Sequence, residues 1–331
     1  MKQLAERIMK AQTLILTTHR QCDGDGLGAE MALAFALRKI GKTVHLINVD
    51  ATPKKYRFLN PDKWIQYFEN NPELPAQVDL TLIFDTNDER LIEPLFPHLK
   101  KVSREIAFVD HHPVLKQGPM PTKESIIDVR AASTGELAHR IIKALQIPLD
   151  REIARCLYTS ITFDTQLYKF IRNSPTSHQI AAELLEHDID PEEIHRHLFG
   201  NQTVQKMAFL ARALGQIEYF AEGRLAVLKL RDNDLFHYNL EPDESRDVID
   251  LLMTIETLEA AVLFREDAPE EYKLSLRSKG TIEVLSVAES MGGGGHVHAA
   301  GASLRGPYDK LKEQVVREMT SKLVRARKTG S

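Results

Sequence analysis

The chain has few cysteines, no long apolar run and no strong excess of charge of one sign. Among its 331 residues only Cys22 and Cys156 are cysteines, too few for a disulfide framework. This count is typical of a reducing compartment, so we predict a cytoplasmic protein. No stretch of about 18 apolar residues occurs, which predicts no membrane-spanning helix and no membrane partner. The segment 1–12 lacks the apolar centre and the small-residue cleavage site of a signal peptide.

The basic surplus of proteins that grip long nucleic acids is also missing. The formal net charge is −4 and the isoelectric point is near 6.4. Tight binding to long DNA or RNA depends on neutralising many phosphates with Lys and Arg. We therefore expect no long duplex nucleic acid as a partner, and short pieces of RNA or nucleotides are favoured.

Strand and helix patterns alternate in the first half of the chain. Apolar, β-branched runs predict four strands there, over Leu14–Thr18, Val44–Val49, Leu80–Phe84 and Ile106–Val109. An Ala-rich helix is predicted over 26–40. Strands that are apolar on both faces, with helices between them, are typical of a doubly wound parallel sheet. The predicted fold class is therefore α/β.

The second half of the chain predicts a smaller α/β domain. A polar, helix-like segment precedes a return of strand patterns, over Arg224–Leu230, Ala260–Phe264 and Tyr272–Leu276. We predict a catalytic domain over 1–187, a helical linker over 188–222 and a second domain with a mixed sheet over 223–331.

Three of the early strands end in an ionisable residue: His19, Asp85 and Asp110. In an open parallel sheet, ligands bind at the carboxyl ends of the strands. Each residue alone is an ordinary loop residue. Together they predict one shared site.

The loop after the first strand is rich in metal-binding side chains. His19-Arg-Gln-Cys-Asp23-Gly-Asp25 places one imidazole and two carboxylates within seven residues. Carboxylates this close repel one another unless a cation lies between them, and this ligand set suits Mn²⁺, Mg²⁺ or Fe²⁺. We interpret Gly24 and Gly26 as residues that let the loop wrap around an ion.

Two later segments add to this set. Asp110-His111-His112-Pro113 supplies two adjacent imidazoles, and a turn at Pro113 lets one ligate a metal while the other contacts substrate. Asp164 adds a carboxylate in a segment that follows a predicted helix and interrupts the helical pattern. Each added carboxylate balances part of the charge of a bound divalent cation.

Four segments of the chain resemble, in the same order, the four motifs of the DHH phosphoesterase superfamily. They are the loop at His19, the strand-end Asp85, the triplet Asp110-His111-His112 and Asp164. Gly-Gly-Gly-Gly-His-Val-His-Ala-Ala-Gly, over 292–301, resembles the signature of the DHH-associated C-terminal domain. The resemblance covers nearly the whole chain. Chains with only these two domains resemble the nanoRNase and adenosine bisphosphate phosphatase group.

The resemblance implies a two-metal phosphoesterase, with Mn²⁺ as the expected ion and Mg²⁺ or Fe²⁺ as alternatives. It implies one metal held by His19, Asp23 and Asp85, and a second held by Asp25, Asp85, His111 and Asp164. Asp110 would orient an imidazole, and His112 would face the substrate phosphate. A water molecule between two divalent ions loses a proton easily, which creates a nucleophile at neutral pH.

The resemblance also implies that the second domain grips the substrate, with an active-site cleft between the two domains. The implied substrate-binding residues are Arg277, Ser278, Gly294, Gly295 and His296. A glycine-rich loop aims backbone N–H groups at an anion, and an Arg clamps a phosphate with two parallel hydrogen bonds. Such a site would select substrates of short length.

We expect hydrolysis of very short oligoribonucleotides and linear dinucleotides, such as pGpG and pApA, to mononucleotides. The alternatives are an adenosine 3′,5′-bisphosphate (pAp) phosphatase and a cyclic-dinucleotide phosphodiesterase. The glycine-rich signature argues against a pyrophosphatase or polyphosphatase. The full set of ligands argues against a nucleotide sensor with an inactive site and against an RNA-editing module. A homodimer is left open.

The fourth motif departs from the family pattern in one place. Gln166 stands after Asp164-Thr165 where a Gly is expected. Substrate preference near this loop is therefore left open.

Overall fold

Two units make up the chain in the computed structural model, which describes residues 1–60, 63–70, 73–114, 118–240 and 242–329. Unit 1 is Met1–Asn201 and unit 2 is Gln202–Ser331. None of the helices in these described ranges is long and apolar enough to cross a bilayer.

Unit 1 is built on a six-stranded sheet in which all paired strands are parallel. The strands are β1 (Thr13–Thr18), β2 (Thr43–Asn48), β3 (Ile65–Tyr67), β4 (Val78–Phe84), β5 (Ser103–Asp110) and β6 (Ile126–Ile127). They lie in the order β3-β2-β1-β4-β5-β6, so the winding reverses between β1 and β4. The predicted doubly wound parallel sheet is confirmed, and the reversal is the point where such sheets bind ligands.

Helices cover this sheet. They are α1 (Lys2–Lys10), α2 (Gly24–Lys39), α3 (Phe96–Val102), α4 (Thr134–Ala144), α5 (Arg151–Asp164), α6 (Thr176–Leu185) and α7 (Pro191–Phe199). Helix α2 is buried along most of its length because small residues let its neighbours come close. A Cβ atom on Gly28 would lie 2.6 Å from the carbonyl oxygen of Cys156 in α5. The close approach of α2 and α5 therefore requires glycine at this position.

Two helix boundaries differ from the sequence-based prediction. Helix α2 begins at Gly24, because the Asp23 carboxylate caps it by accepting hydrogen bonds from the backbone N–H groups of Asp25 (2.9 Å) and Gly26 (3.3 Å). The interpretation of Gly24 and Gly26 as residues of an ion-wrapping loop is wrong, because both lie in α2. A Cβ atom on Gly24 would lie 2.7 Å from Phe163 Cγ and one on Gly26 would lie 2.2 Å from Thr18 Oγ1, so both glycines serve close packing. Helix α5 continues through Asp164, which is its last residue rather than part of a break.

The chain's one tryptophan, Trp64, lies in unit 1. Its ring centroid is 4.9 Å from that of Phe35 in α2, and the Arg38 guanidinium carbon is 3.9 Å from the Trp64 ring centroid. Because these contacts depend on the packing of α2, Trp64 fluorescence reports the folding of unit 1.

Unit 2 contains a second six-stranded sheet. Its strands are β7 (Glu218–Phe220), β8 (Leu225–Leu230), β9 (Ala260–Ala268), β10 (Glu271–Ser278), β11 (Gly294–His296) and β12 (Ala299–Arg305), in the order β11-β12-β10-β9-β8-β7. The β8–β9 pair is parallel and the others are antiparallel, so the predicted mixed sheet is confirmed. Along β8, Leu225 and Val227 belong to one apolar core and Ala226 and Leu228 to another, so both faces are covered.

The helices of unit 2 are α8 (Val204–Leu214), α9 (Asp232–His237), α10 (Arg246–Leu252), α11 (Leu285–Ser290) and α12 (Tyr308–Thr329). The segment 188–222, predicted as a linker, contains α7, α8 and β7. Ile194 and Leu198 of α7 are buried in the core of unit 1. Phe209 and Ala213 of α8 are buried in a core of unit 2.

Candidate metal centre and substrate site

The carboxyl-terminal edge of the unit 1 sheet brings together the ionisable residues that the sequence predicted there. They come from the ends of β1, β4 and β5, from the start of α2 and from the end of α5. Their side chains form three groups in which the ligand atoms lie within 4.8 Å of one another: His19, Asp23 and Asp85; Asp25, His111 and Asp164; and Asp85, His111 and His112. All six predicted metal ligands are therefore in one cluster.

Asp85 occupies the middle of this cluster. Its Oδ2 atom is 3.5 Å from His19 Nε2, and its Oδ1 atom is 3.6 Å from His111 Nε2. The backbone of Asp85 is left-handed, with φ at 61°, a conformation that costs about 1–3 kcal/mol in a non-glycine residue. The Thr134 hydroxyl donates a hydrogen bond to Asp85 Oδ1 (2.9 Å). The carboxylate is thus held facing both histidines.

Both histidines turn the same ring nitrogen towards the carboxylates. His19 Nδ1 is 2.8 Å from the carbonyl oxygen of Arg20, and His111 Nδ1 is 3.4 Å from that of Ala131. An N–H donated to a carbonyl from Nδ1 leaves the lone pair on Nε2, as in metal-ligating histidines. His111 Nε2 is buried without a hydrogen-bond partner among the described residues. It lies 3.5 Å from a carboxylate oxygen of Asp164.

The carboxylates of the cluster repel one another. Burial, followed by the charges of neighbouring aspartates, raises the pKa of Asp85 well above its usual range. The same causes raise the pKa of Asp164 to about 8. A divalent cation would remove both penalties by neutralising the charge. The repelling carboxylates and the buried Nε2 lone pair of His111 fit metal ions, and the imidazole and carboxylate donors suit Mn²⁺, Mg²⁺ or Fe²⁺.

Asp25 is anchored by residues that the sequence did not single out as functional. Its fully buried carboxylate accepts hydrogen bonds from the backbone N–H groups of Thr134 (2.7 Å) and Gly135 (3.1 Å), and from the Ser160 hydroxyl. The N-terminus of α4 favours an anion at this place. Ser133 accepts a hydrogen bond from the Glu136 N–H (3.2 Å). Ser-Thr-Gly-Glu over 133–136 is a typical helix start, and this pattern is the sequence signal for the two backbone donors.

Asp110 and His112 form a pair beside the cluster. Asp110 is fully buried and accepts hydrogen bonds from His112 Nδ1 (2.9 Å) and from Asn87 Nδ2 (2.6 Å). Burial lowers the pKa of His112, but the hydrogen bond to Asp110 and the charges of nearby carboxylates outweigh burial and raise it above its usual value. Its side chain is 41% exposed. Asp110 thus holds the His112 ring at the edge of the cluster, and Asn87 is a partner that sequence reasoning missed.

In unit 2, three neighbouring strands align Arg277 with His296. Arg277 of β10 pairs with Ala299 of β12, and Ala299 pairs with His296 of β11. Side chains opposite each other on neighbouring strands point to the same face, and strands are about 4.8 Å apart. The side chains of Arg277 and His296 therefore share one face roughly 10 Å apart, with only the methyl group of Ala299 between them.

The other predicted substrate residues lie beside this row. The Ser278 hydroxyl donates to the Ile282 carbonyl oxygen (2.6 Å). Gly294 and Gly295 belong to the edge strand β11 and not to the predicted loop. A Cβ atom on Gly295 would lie 2.6 Å from the Ala299 carbonyl oxygen, and its φ is 139°, so pairing with β12 requires glycine.

Two family models match the chain. The model described as the DHH family, N-terminal domain, matches residues 13–161, and the DHHA1 domain model matches residues 222–325. These ranges contain five of the six predicted metal ligands, with Asp164 just beyond the first, and all of the predicted substrate residues.

Curated relatives match over almost their full length. The bifunctional oligoribonuclease and PAP phosphatase NrnA of Thermus thermophilus is 27% identical over 327 residues, which is 98% of this chain and 94% of the relative. A probable protein of the same name from Streptococcus mutans is 25% identical and covers 91% of this chain and 93% of its own length.

Among solved structures, an exopolyphosphatase-related protein from Bacteroides fragilis has a TM-score of 0.86. It is 23% identical and covers 96% of both chains. At this identity the likeness shows the fold alone.

Proposed function

Because the chain belongs to the DHH family and carries a DHHA1 domain, we propose that it is a metal-dependent phosphoesterase that hydrolyses very short oligoribonucleotides and linear dinucleotides to mononucleotides. The observation that carries this proposal is the cluster of six metal-ligand candidates around Asp85. Near full-length relatives named as oligoribonucleases support the substrate class. An enzyme of this kind is a hydrolase.

The metal assignment follows the three groups of ligand atoms. His19, Asp23 and Asp85 would hold one ion, and Asp25, Asp85, His111 and Asp164 would hold a second. Asp85 would serve both ions, since its two oxygens face different histidines. Mn²⁺ is the proposed ion, because mixed carboxylate and imidazole donors suit it.

When bound, the cations supply an activated water nucleophile and neutralise charge on the phosphoryl oxygens. The protein's own part is to position the phosphate and to stabilise its charge. The His112 ring would donate a hydrogen bond to a non-bridging oxygen, where a preorganised donor stabilises the charge that builds up in the transition state. Asp110 would fix the ring, since it accepts a hydrogen bond from His112 Nδ1. Both residues are thus proposed to act in catalysis.

In unit 2 we propose that Arg277, Ser278, Gly294, Gly295 and His296 bind the substrate. The support is the row of Arg277 and His296 on one face of the sheet. A guanidinium and an imidazole on either side of a small residue are suited to a phosphate group. A short substrate fits the small number of polar side chains in this row.

A second candidate activity is removal of a phosphate from adenosine 3′,5′-bisphosphate. The relatives are named as bifunctional, with PAP phosphatase as the second activity. The same cluster would serve both reactions, because each breaks a phosphoester bond. Activity in the cytoplasm stays a prediction from the sequence, and a homodimer stays open.

The first test replaces Asp85 by Asn, which keeps the shape of the side chain and removes its charge. We expect Asp85→Asn to abolish Mn²⁺-dependent release of mononucleotides from pApA and to weaken Mn²⁺ binding in calorimetry. Asp88→Asn is the matched control, because Asp88 is a nearby buried aspartate that accepts a hydrogen bond from Arg90 Nε (2.9 Å) outside the cluster. Retained turnover in Asp85→Asn would refute the metal assignment.

Loss of activity through misfolding is distinguishable from loss of metal. In EDTA, Asp85→Asn should unfold at higher urea than the wild type at pH 7, as followed by Trp64 fluorescence. Burial and neighbouring charges raise the pKa of Asp85 in the folded chain, and Asn carries no such penalty.

The substrate is tested with a panel of pApA, pGpG, longer RNA, a cyclic dinucleotide, pAp and pyrophosphate, each with Mn²⁺, Mg²⁺ or Fe²⁺. We expect the highest kcat/KM for the linear dinucleotides. A higher value for pyrophosphate or for long RNA would contradict the proposed function.

A further inference from the structure

The segment Gln166–Asn173, which joins α5 to α6 and which we call the post-α5 turn, has an unusual backbone. Three consecutive non-glycine residues are left-handed: Gln166, Leu167 and Tyr168 have φ values of 47°, 61° and 64°. Arg172 and Asn173 are also left-handed, both with φ at 53°. Such conformations persist only where surrounding structure imposes them, and they cluster at functional sites.

Hydrogen bonds hold the post-α5 turn against the end of α5. The Leu167 N–H donates to the Thr162 carbonyl oxygen (3.0 Å), and the Tyr168 N–H donates to the Thr165 hydroxyl (3.0 Å). The Phe170 N–H donates to the Thr165 carbonyl oxygen (2.9 Å). The strained conformation is therefore well determined.

The post-α5 turn lies beside the metal centre because it is held against the end of α5. It starts two residues after Asp164, the last residue of α5. At Phe170 the backbone is still within hydrogen-bond distance of Thr165, the residue that follows Asp164. The turn from Gln166 to Phe170 therefore stays close to a candidate metal ligand.

The post-α5 turn exposes apolar side chains at this edge. Tyr168 turns inward, where its ring stacks on His178 with a centroid distance of 5.1 Å. Phe170 is 50% exposed, and the Lys169 ammonium lies 5.0 Å from the centroid of its ring. Single exposed apolar residues are common, but a strained turn that holds an aromatic ring outward beside a candidate metal centre calls for a functional explanation.

We propose that Phe170 stacks on the nucleobase of the substrate and so determines that the enzyme takes nucleotides. This inference rests on the proposed function. The base of a nucleotide lies one ribose away from its phosphate. The Phe170 N–H donates a hydrogen bond to the carbonyl oxygen of Thr165, the residue that follows Asp164. Exposed aromatic rings are the common means by which proteins bind unpaired bases without strict sequence preference.

Binding of AMP and of ribose 5-phosphate, measured by calorimetry with Mn²⁺ present, tests the proposal. The two ligands share the phosphate and ribose and differ in the base. Phe170→Ala should lower the affinity for AMP about tenfold or more and leave the affinity for ribose 5-phosphate unchanged. Phe170→Trp should restore AMP binding, because it restores an aromatic face.

Leu167→Ala is the matched control, because Leu167 lies in the same turn and is also 50% exposed. It should bind AMP as the wild type does. Equal losses in the two variants, or an equal loss for both ligands in Phe170→Ala, would overturn the proposal. Unchanged AMP binding in Phe170→Ala would also overturn it and would assign the exposed ring to another role, such as contact with a protein.

Failure of the stacking role is distinguishable from failure of the proposed function, which is judged by turnover of pApA in the wild type. If the wild type binds AMP through Phe170 but hydrolyses no dinucleotide, only the proposed function fails. If it hydrolyses pApA and Phe170→Ala keeps the wild-type KM, only the stacking role fails.

Discussion

Glu30 of α2 shows how a single carboxyl group is held neutral inside unit 1. The side chain is fully buried, and its Oε2 atom accepts a hydrogen bond from Asn48 Nδ2 (3.0 Å). Asn48 Oδ1 accepts a hydrogen bond from the N–H of Thr18 (3.3 Å), the residue before His19. Burial raises the pKa of Glu30 to about 8, and the hydrogen bond from Asn48 only partly opposes this. Glu30 is therefore mostly protonated at neutral pH.

This raised pKa predicts a loss of stability with rising pH. A carboxyl whose pKa is higher in the folded state binds more protons when folded, so its contribution is full below about pH 4.5 and is lost as the pH rises to about 8. Glu30→Gln does not titrate. We expect the free energy of unfolding of Glu30→Gln, relative to the wild type, to rise by about 1.4 kcal/mol per pH unit in this window. Urea unfolding followed by Trp64 fluorescence at pH 5, 6.5 and 8 measures it.

The control for this comparison is Glu6→Gln, because Glu6 is exposed on α1. Its stability should follow the wild-type curve at all three pH values. A Glu30→Gln curve that also stays parallel to the wild type would mean that Glu30 does not titrate differently on folding.

At the scale of elements, the main strands were predictable and the short ones were not. Strands β1, β2, β4 and β5 have six to eight residues, and each ends in a run of consecutive buried residues, so they appear as continuous apolar stretches. Strands β3 and β6 have three and two residues and leave no periodic pattern. They are strands because a neighbouring strand pairs with them, which local sequence does not record.

The candidate site divides in a similar way. His19 and Asp85 were predictable because each directly follows a strand of a parallel sheet. Thr134 and Ser160 were not, since they reach Asp85 and Asp25 only after α4 and α5 pack beside α2. Their residue types are ordinary in helices. Only the packing of the helices makes them part of the site.

Replacing Arg277, in the row formed by β10, β12 and β11, should weaken substrate binding without changing metal binding. Arg277→Ala should raise KM for pApA roughly tenfold, since a hydrogen bond to a charged group contributes about 1.5–3 kcal/mol. The Mn²⁺ content should stay at the wild-type value. Steady-state kinetics and metal analysis of the same protein sample measure both quantities.

Arg305→Ala is the control, because Arg305 is a cation on the same sheet whose side chain is 80% exposed and paired with Glu271. It should leave KM unchanged. If Arg277→Ala instead releases metal, the proposed role of Arg277 in substrate binding is wrong.

At the scale of the whole molecule, the apolar cores are separate. Each buried cluster belongs to one unit, and all of the candidate metal ligands belong to unit 1. A metal that binds only the folded site should stabilise unit 1 by about 2.7 kcal/mol at a concentration of 100 times its Kd.

Thermal unfolding of the full chain tests this expectation. Mn²⁺ should raise the temperature of the unfolding transition that Trp64 fluorescence follows. It should not do so in Asp85→Asn. Calorimetry also records the unfolding of unit 2, and Mn²⁺ should raise the unfolding temperature of unit 2 less than that of unit 1. Equal shifts of the whole profile would show that the metal stabilises both units alike.

The left-handed backbone at Asp85 also limits how this protein can change during evolution. Gly, Asn and Asp tolerate this conformation better than other residues do. A descendant that abandons hydrolysis and keeps its shape is therefore expected to carry Asn or Gly at position 85. Either replacement would remove the central carboxylate and its repulsion of the neighbouring carboxylates while keeping the turn. A nucleotide-binding protein without catalytic activity is therefore one substitution away from the enzyme.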